Sequence, residues 1–591
     1  MIGLGEWLDR WIERKELVAV VGLTIVYGVI AFARLGDTSA PQSFWDQRVW
    51  REETQQSVEQ QPVWVDFGEV VEIGSLMAYM GAREGQSFAL FSSYNGEYWD
   101  YAGSFDMYSV FAWHRFELEA SGRFLNIVAT SDRLMLGGLE FRNTQGVRIN
   151  PQEYAASGEH LFDEAATVPA YPSFMNSTIF DEIYHPRTAF EFVNGLDVYE
   201  DTHPPLGKSL IGLGIRMFGM TPFGWRFMGT LFGVIMVPLM YVLAKEVFEN
   251  KAAAFVAAGL FAFDFMHFVQ TRLATIDTYV TFFVILMYLC MYKYYKPSLN
   301  ETDFNRDCLW LGFAGLFMGL AIASKWQGVY AGAGLALLWL IAMIRRYSEY
   351  KGLSGDGARN MAAHNKKGQM VSYHTYAANT VCKCFVFFII VPVLVYVLSY
   401  IEYIAAPGKY GIGSIIDNQM RMFTYHAWLE AEHPFASPWW EWPLNLRPLF
   451  AYQRWPGYGI AAGISSFGNP VVWWGGVVGM VYAFGRLFDK NRPRLVPVFI
   501  VVSFAAQYLP WVFVGRITFI YHFFVSVPFI TLALVYLITE TLDKDRPHIK
   551  YAVLALGILL FAAFYPVLAG VPVPAGYVET FLRWFRTWQL I

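Results

Sequence analysis

From about residue 225 onward the chain is dominated by long apolar runs broken by single polar residues. A helix needs roughly 20 apolar residues to cross a bilayer, and about eleven stretches fit that requirement: 17–35, 225–246, 252–270, 275–295, 309–323, 327–344, 383–403, 470–488, 495–514, 518–539 and 551–571. Residues 62–160 have a different texture. PVWVDFGEVVEIGSLMAYMG and SFALFSSYNGEYWDYAG alternate apolar and polar positions, and Asn95-Gly96 is a hairpin signal. Short strands separated by turns predict an extracytoplasmic β-sandwich here. Two readings stay open for it: a carbohydrate- or acceptor-binding module, or a packing domain that caps the membrane part.

The first apolar run follows RWIERK and is too long for a signal-peptide core, so it reads as a signal anchor with a cytoplasmic N-terminus. Alternating the spans then puts the Lys/Arg-rich segments 345–368, 486–494 and 543–550 inside, as the positive-inside rule requires. Outside fall 36–224, 271–274, 324–326, 404–469 and 515–517. The implied location is a multi-pass protein of the plasma (cytoplasmic) membrane, in contact with lipid on most faces.

Composition agrees. Of 591 residues, 55% are hydrophobic and only 16% charged, against about 25% charged in soluble domains. A net charge of −5 gives no ground for a nucleic-acid partner. None of the four cysteines lies between residues 36 and 289, so no disulfide framework braces that region.

Charge inside a membrane protein is costly and marks function by default. The stretch FDEIYHPRTAFEFVNGLDVYEDTHPPLGK, 180–208, concentrates it ahead of an apolar run. On the same outer side lie Arg226 in GWR, Arg272 and Asp277 in TRLATID, Lys325 in SKW, Arg516 and His522 in GRITFIYH, and Trp439 and Trp440 in PWWEW. An enzyme on that side has no nucleotide-sugar pool and draws its activated group from a lipid. Sugar transfer from a polyprenyl phosphate asks for a carboxylate to take the acceptor's proton. It asks for cations on the leaving phosphate and for walls that orient the sugar. Asp181 and Glu182 are the candidate carboxylates, and Arg226, Arg272, Lys325, Arg516 and His522 the candidate donor ligands. His185, His203, Asp277, Trp439 and Trp440 are candidate lining residues. Each cation has a plainer reading as a side chain snorkelling at a span end, and the Trp cluster reads equally as an interfacial anchor. The histidine spacing matches no tight metal signature, so hydrogen-bonding roles are favoured and no metal site is expected. Asp264 and His267, in FAFDFMHFVQ, are either a relay or the border of the same cavity.

Taken in order, FDE, HPPLGK, GWR, TRLATID, SKW, PWWEWPLNLRP, GNPVVWW and RITFIYH resemble the protein O-mannosyltransferase family over about residues 175–530. The resemblance implies the GT-C fold and a polyprenyl-phosphate-mannose donor with no further cofactor, a divalent metal being left open. It implies one inverting displacement at the sugar C1, with Asp181 as base toward a Ser or Thr hydroxyl, Glu182 supporting it, Arg226 lining the site, and Lys325 and Arg272 at the phosphate. The implied organisation is a membrane anchor (1–36), the β-sandwich (37–170), an outer loop with the acidic motif and HPPLGK (171–224), and the remaining membrane module (225–591) with its Trp-rich loop 404–469. Within the sandwich, VDFG, SSYNGEYW, FLNIV and LGGLEF in that order resemble the discoidin-type galactose-binding jelly roll. The eukaryotic β-trefoil has no room in 404–469, and the sandwich after the first span suggests a prokaryotic relative. The alternatives are a GT-C transferase of another sugar to a lipid or cell-wall glycan, and a transporter or scaffold with a sugar-binding ectodomain. No internal repeat of the kind transporters show is visible. The sugar, the acceptor (protein or glycan) and the oligomeric state stay open.

Overall fold

Alternating side chains make one-sided strands, and in the computed structural model the segment after the first apolar run is indeed sheet. Described are residues 2–48, 63–352, 363–364, 370–371, 373–542 and 545–591; parts of the basic segments 345–368 and 543–550 lie outside these. The chain divides into two units. One comprises Arg34–Val193 with Ile211–Phe227. It holds the strands β1 (Trp45–Arg48), β2 (Val63–Met80), β3 (Gln86–Ser93), β4 (Asp100–Met107), β5 (Ala112–Ala129), β6 (Arg133–Arg142), β7 (Arg148–Ile149) and β8 (Glu153–Tyr154). They form one antiparallel sheet in the order β1-β6-β2-β5-β3-β4, with β7 on β6 and β8 on β2. The expected hairpin at Asn95-Gly96 joins β3 to β4, and Gly96 takes the left-handed φ of +80° that the turn requires. Leu76, Met77, Phe88, Leu90, Ile127, Leu136 and Phe141 are buried along its strands.

The other unit comprises Met1–Ala33, Asn194–Leu210 and Met228–Ile591. Among the described residues of the chain, seven helices are long and apolar enough to cross a membrane, and nine if each of two bent pairs is one span. Both breaks have a visible cause or consequence. Gly5–Arg14 turns 99° from Glu16–Phe32, so the basic run before the first span is itself helical. Lys251–Ala262 turns 55° into Phe265–Arg272. There Asp264 caps the second helix, accepting from the backbone N–H of Met266 and His267, and its other oxygen accepts from Asn469 N–H at 3.0 Å. His267 is buried beside it, within 3.1 Å of the Gly233 carbonyl and stacked on Tyr27. The polar pair inside this apolar run therefore builds a helix break.

Asp277–Tyr295 is buried on nearly all sides, and so is Val527–Thr541. Pro470–Arg486 packs tightly on the latter because Gly476 and Gly479 let its backbone reach Ile530 and Ala533; a Cβ at either position would collide. Residues 404–469, read as a loop from the sequence, carry the helix Gly411–Trp428, a 3₁₀ turn Trp439–Glu441 and the hairpin Leu449–Gly457/Ile460–Ser466. Within this segment Trp442 is buried and donates to Ser437, whereas Trp428, Trp440, Trp455 and Tyr458 are exposed.

Candidate active site

The acidic motif sits on a one-turn 3₁₀ helix, Phe180–Ile183, entered through Phe180 at φ +51°. A bulky residue at positive φ is strained, and such strain gathers at functional sites. Glu182 is fully buried. Its two oxygens take a bidentate guanidinium: Arg226 Nε donates at 2.7 Å and Nη2 at 2.6 Å, while Ile179 N–H donates to the second oxygen at 3.1 Å. Arg226 spends its remaining donors on the carbonyls of Leu35, Phe174 and Ser177. All of its donor groups are thus directed at protein, which leaves the donor-ligand role expected for Arg226 without a hydrogen-bonding edge and makes it the holder of the acidic turn. Asp181, half-buried, follows the strained residue directly, and its backbone carbonyl accepts from Tyr184 N–H at 3.1 Å. His185 is buried at the start of His185–Asn194. Asp37, in the same unit, is held above the usual carboxylate range, chiefly by burial; nothing in its sequence context singles it out except its place just past the first span.

The other unit contains a cavity of about 630 Å³ lined by His203, Lys325, Trp326, Tyr330, His426, Trp511 and Arg516. Lys325 follows the last turn of Phe304–Ser324, where cations are favoured. Its ammonium donates to Asp277 at 2.7 Å and sits 5.4 Å from the Tyr521 ring. Asp277 in turn occupies the first turn of its helix, where a carboxylate is favoured. Arg516 is half-buried, forms no ion pair among the described residues, and also lines a second cavity of about 830 Å³ with His433, Trp439 and Trp440. A mainly apolar groove of about 450 Å³ shares Trp326 and Tyr330 with the first cavity; Ile322, Val329, Pro392, Val393, Tyr396 and Val397 complete its wall. His522 is buried between Trp442 and Trp511, its ring 4.5 Å from the latter, and its carbonyl accepts from Gln327. Arg272 donates to the Ala33 carbonyl and lies over Phe268, and it lines none of these cavities.

HPPLGK is accounted for by local bonding. Lys208 pairs with Glu200 and donates to the carbonyls of Glu200 and His203. Asp201 is met by Tyr403, Lys409 and Arg421, and Asn418 donates to its carbonyl. These bonds fix His203 with its ring 5.1 Å from that of His426.

Two family profiles match consecutive parts of the chain: dolichyl-phosphate-mannose-protein mannosyltransferase over residues 219–404 and the C-terminal four-transmembrane region of protein O-mannosyltransferase over residues 412–588. The chain belongs to the protein O-mannosyltransferase family. A polyprenol-phosphate-mannose–protein mannosyltransferase of Mycobacterium tuberculosis is 27% identical over 482 residues, covering 70% of this chain and 86% of that one. Its counterpart in Corynebacterium glutamicum is 25% identical, covering 73% and 89%. Among solved structures, the protein O-mannosyltransferase Pmt1-Pmt2 complex of Saccharomyces cerevisiae bound to the sugar donor matches with a TM-score of 0.58 at 14% identity, covering 70% of this chain and 89% of that one. That likeness establishes the shared GT-C membrane fold.

For this member of the family, sequence reading missed His426, Trp326, Tyr330 and Trp511, which line the main cavity. Their signal was weak because a Trp or Tyr at the end of an apolar run reads first as an interfacial anchor. His426, outside the candidate spans, donates from Nε2 to the Thr202 carbonyl at 2.9 Å. Burial, then the charge of Arg516, lowers its pKa to about 4. In the unfolded chain it titrates near 6.5. The unfolded chain therefore binds the proton first, and stability contributed by the neutral ring is lost as pH falls from about 6.5 to about 4. His426→Gln is expected to remove that part of the acid sensitivity, read as a smaller drop in melting temperature between pH 7 and pH 5 than the native chain shows. An unchanged drop would place the sensitivity elsewhere.

Proposed function

We propose that this chain transfers mannose from a polyprenyl-phosphate carrier to Ser or Thr hydroxyls of polypeptides on the extracytoplasmic face of the membrane. The observation that carries the reading is the cavity with Lys325 and Arg516 on its wall, which shares Trp326 and Tyr330 with an apolar groove. A phosphate with a hydrocarbon tail needs that combination: cations for its charge and an apolar channel for its chain. The names of the bacterial relatives fit the same donor.

In this reading Asp181 takes the proton of the acceptor hydroxyl as its oxygen bonds to the sugar C1. The C1–O bond to the phosphate breaks in the same step, inverting C1, and polyprenyl phosphate leaves as an anion. Lys325 and Arg516 meet the charge that develops on it. Asp277 positions Lys325, and Glu182 with Arg226 positions the turn that carries Asp181. Trp439 and Trp440, sharing a cavity with Arg516, are assigned to the acceptor side. Arg272 is assigned to its helix end and His522 to the aromatic wall. No metal is assigned a role. Eleven spans follow if Asp277–Tyr295 and Pro470–Arg486 also cross, and the positive-inside pattern then sets the N-terminus in the cytoplasm. The 18-residue strands β2 and β5, each bent at register shifts, are read as shared by the two halves of a folded-over sandwich.

The test is transfer in nanodiscs from labelled polyprenyl-phosphate mannose to a Ser/Thr-rich peptide. Label on the peptide supports the reading; transfer only to lipid or wall glycan, or none with the donor bound, refutes it. Lys325→Ala is expected to lower transfer by about 10²-fold, with the donor KM raised and the peptide KM unchanged. An equal rise in both, or a lower melting temperature alone, would make Lys325 a structural partner of Asp277.

A further inference from the structure

The outward face of the sheet carries a row of side chains that neither its core nor the transfer reaction uses. Strand register sets Trp64 beside Asn126, Asn126 beside Phe91, and Phe91 beside Tyr101. Directly paired residues share a face, so this row crosses β2, β5, β3 and β4. The face is the outward one: Leu125, Ile127 and Ala129 of β5 are buried, and the residues between them point the other way. Trp64 is 43% exposed and Tyr101 63%. The β3–β4 turn adds Tyr94, Tyr98 and Trp99, of which Tyr98 is 79% exposed. That turn is braced: Asn95 Oδ1 accepts from the N–H of Glu97 and Tyr98, and Ser93 Oγ from that of Gly96. The aromatic array is therefore presented by sheet and by a hydrogen-bonded turn.

Within the row, Asn126 Oδ1 is buried without a hydrogen-bond partner among the described residues. A buried acceptor in that condition calls for a donor from outside. The rim supplies more acceptors: Glu97, Asp100 and Asp106 lie in a stretch, residues 85–114, that has no Lys or Arg. Arg123, on the same strand as Asn126, is already paired bidentately with Asp66.

We infer that this face is a carbohydrate-binding platform for a neutral oligosaccharide. The apolar faces of pyranose rings stack on Trp64, Phe91 and Tyr101. Sugar hydroxyls donate to Asn126 Oδ1 and to the rim carboxylates. The uncompensated acid of the rim repels anionic lipid headgroups and acidic glycans. Every apolar position from Phe91 to Tyr101 is aromatic, with no aliphatic residue of the kind an apolar protein contact would add. The inference concerns residues other than those assigned to transfer and stands or falls independently of that assignment.

The experiment uses the full chain in nanodiscs and saturation-transfer NMR with mannohexaose, cellohexaose and isomaltohexaose, alongside a Lys-Ser repeat peptide. The native chain is expected to bind at least one hexasaccharide. Trp64→Ala with Tyr101→Ala is expected to weaken it by about tenfold or more, Asn126→Ala by about fivefold, and Tyr101→Phe by less than about twofold, because the ring remains. Melting temperature and transfer to a short peptide stay at native values in all of them. Failure of every hexasaccharide to bind, binding that the alanine variants retain, or loss of the basic peptide alone would overturn the proposal.

Discussion

Replacing Asp181 by Asn is expected to lower mannosyl transfer by about 10³-fold, within the range a positioned base contributes, while leaving the donor bound and the protein folded. Asparagine keeps the size of aspartate and its ability to accept a hydrogen bond, but it cannot take a proton. The surroundings argue that the change stays local. Asp181 is half-buried, and the turn that carries it is fixed by its neighbour: Glu182 is clamped by Arg226 and by Ile179 N–H. The strained Phe180 lies in the same turn, and the hydrogen bonds of the Glu182 clamp come from Arg226 and Ile179. The measurement is single-turnover transfer to a Ser/Thr peptide, with binding of labelled polyprenyl-phosphate mannose and thermal unfolding as companions. Transfer within a few-fold of native would remove Asp181 from the base role. A half-buried carboxylate such as Asp37 would then be the next group to test.

Several parts of this molecule were legible before any coordinates. Helix falls on each apolar stretch because length and apolarity alone decide a bilayer-length helix. The β3–β4 hairpin was legible because Asn-Gly supplies the positive φ that only a few residues tolerate. Residues 404–469 were less so: Asn418 and His426 make sense only against the carbonyls of Asp201 and Thr202, which lie far away in sequence. Asp264 looked like a membrane-buried acid with a function, yet it caps a broken helix, a role that composition cannot separate from chemistry. The grouping of Lys325, Arg516 and His203 around one cavity was foreshadowed only by their shared side of the membrane. The pairing of Glu182 with Arg226 had no sequence signal at all, because one motif reads as the base toward the acceptor and the other as a ligand of the donor.

That pairing carries the largest expected effect on stability. Arg226→Ala is expected to destabilise the chain by about 3–5 kcal/mol, the usual result of breaking a buried ion pair from one side, and to lower the melting temperature by roughly 10 °C. The cause is what remains behind. Glu182 is wholly buried and would keep its charge, or take up a proton, without the guanidinium that faces both of its oxygens. The carbonyls of Leu35, Phe174 and Ser177 would lose their donors together. Arg226→Lys restores the charge without the planar fork and is expected to recover only part of the loss. Glu182→Gln combined with Arg226→Met removes both charges, so it is expected to be more stable than Arg226→Ala alone even though the carbonyls stay unmet. Transfer by that double variant tests positioning directly: a stable protein with slow transfer and a native donor KM would mean the pair holds the acidic turn in its strained form. An Arg226→Ala protein that melts like the native chain but has a raised donor KM would return Arg226 to the phosphate and undo the assignment made from its hydrogen bonds.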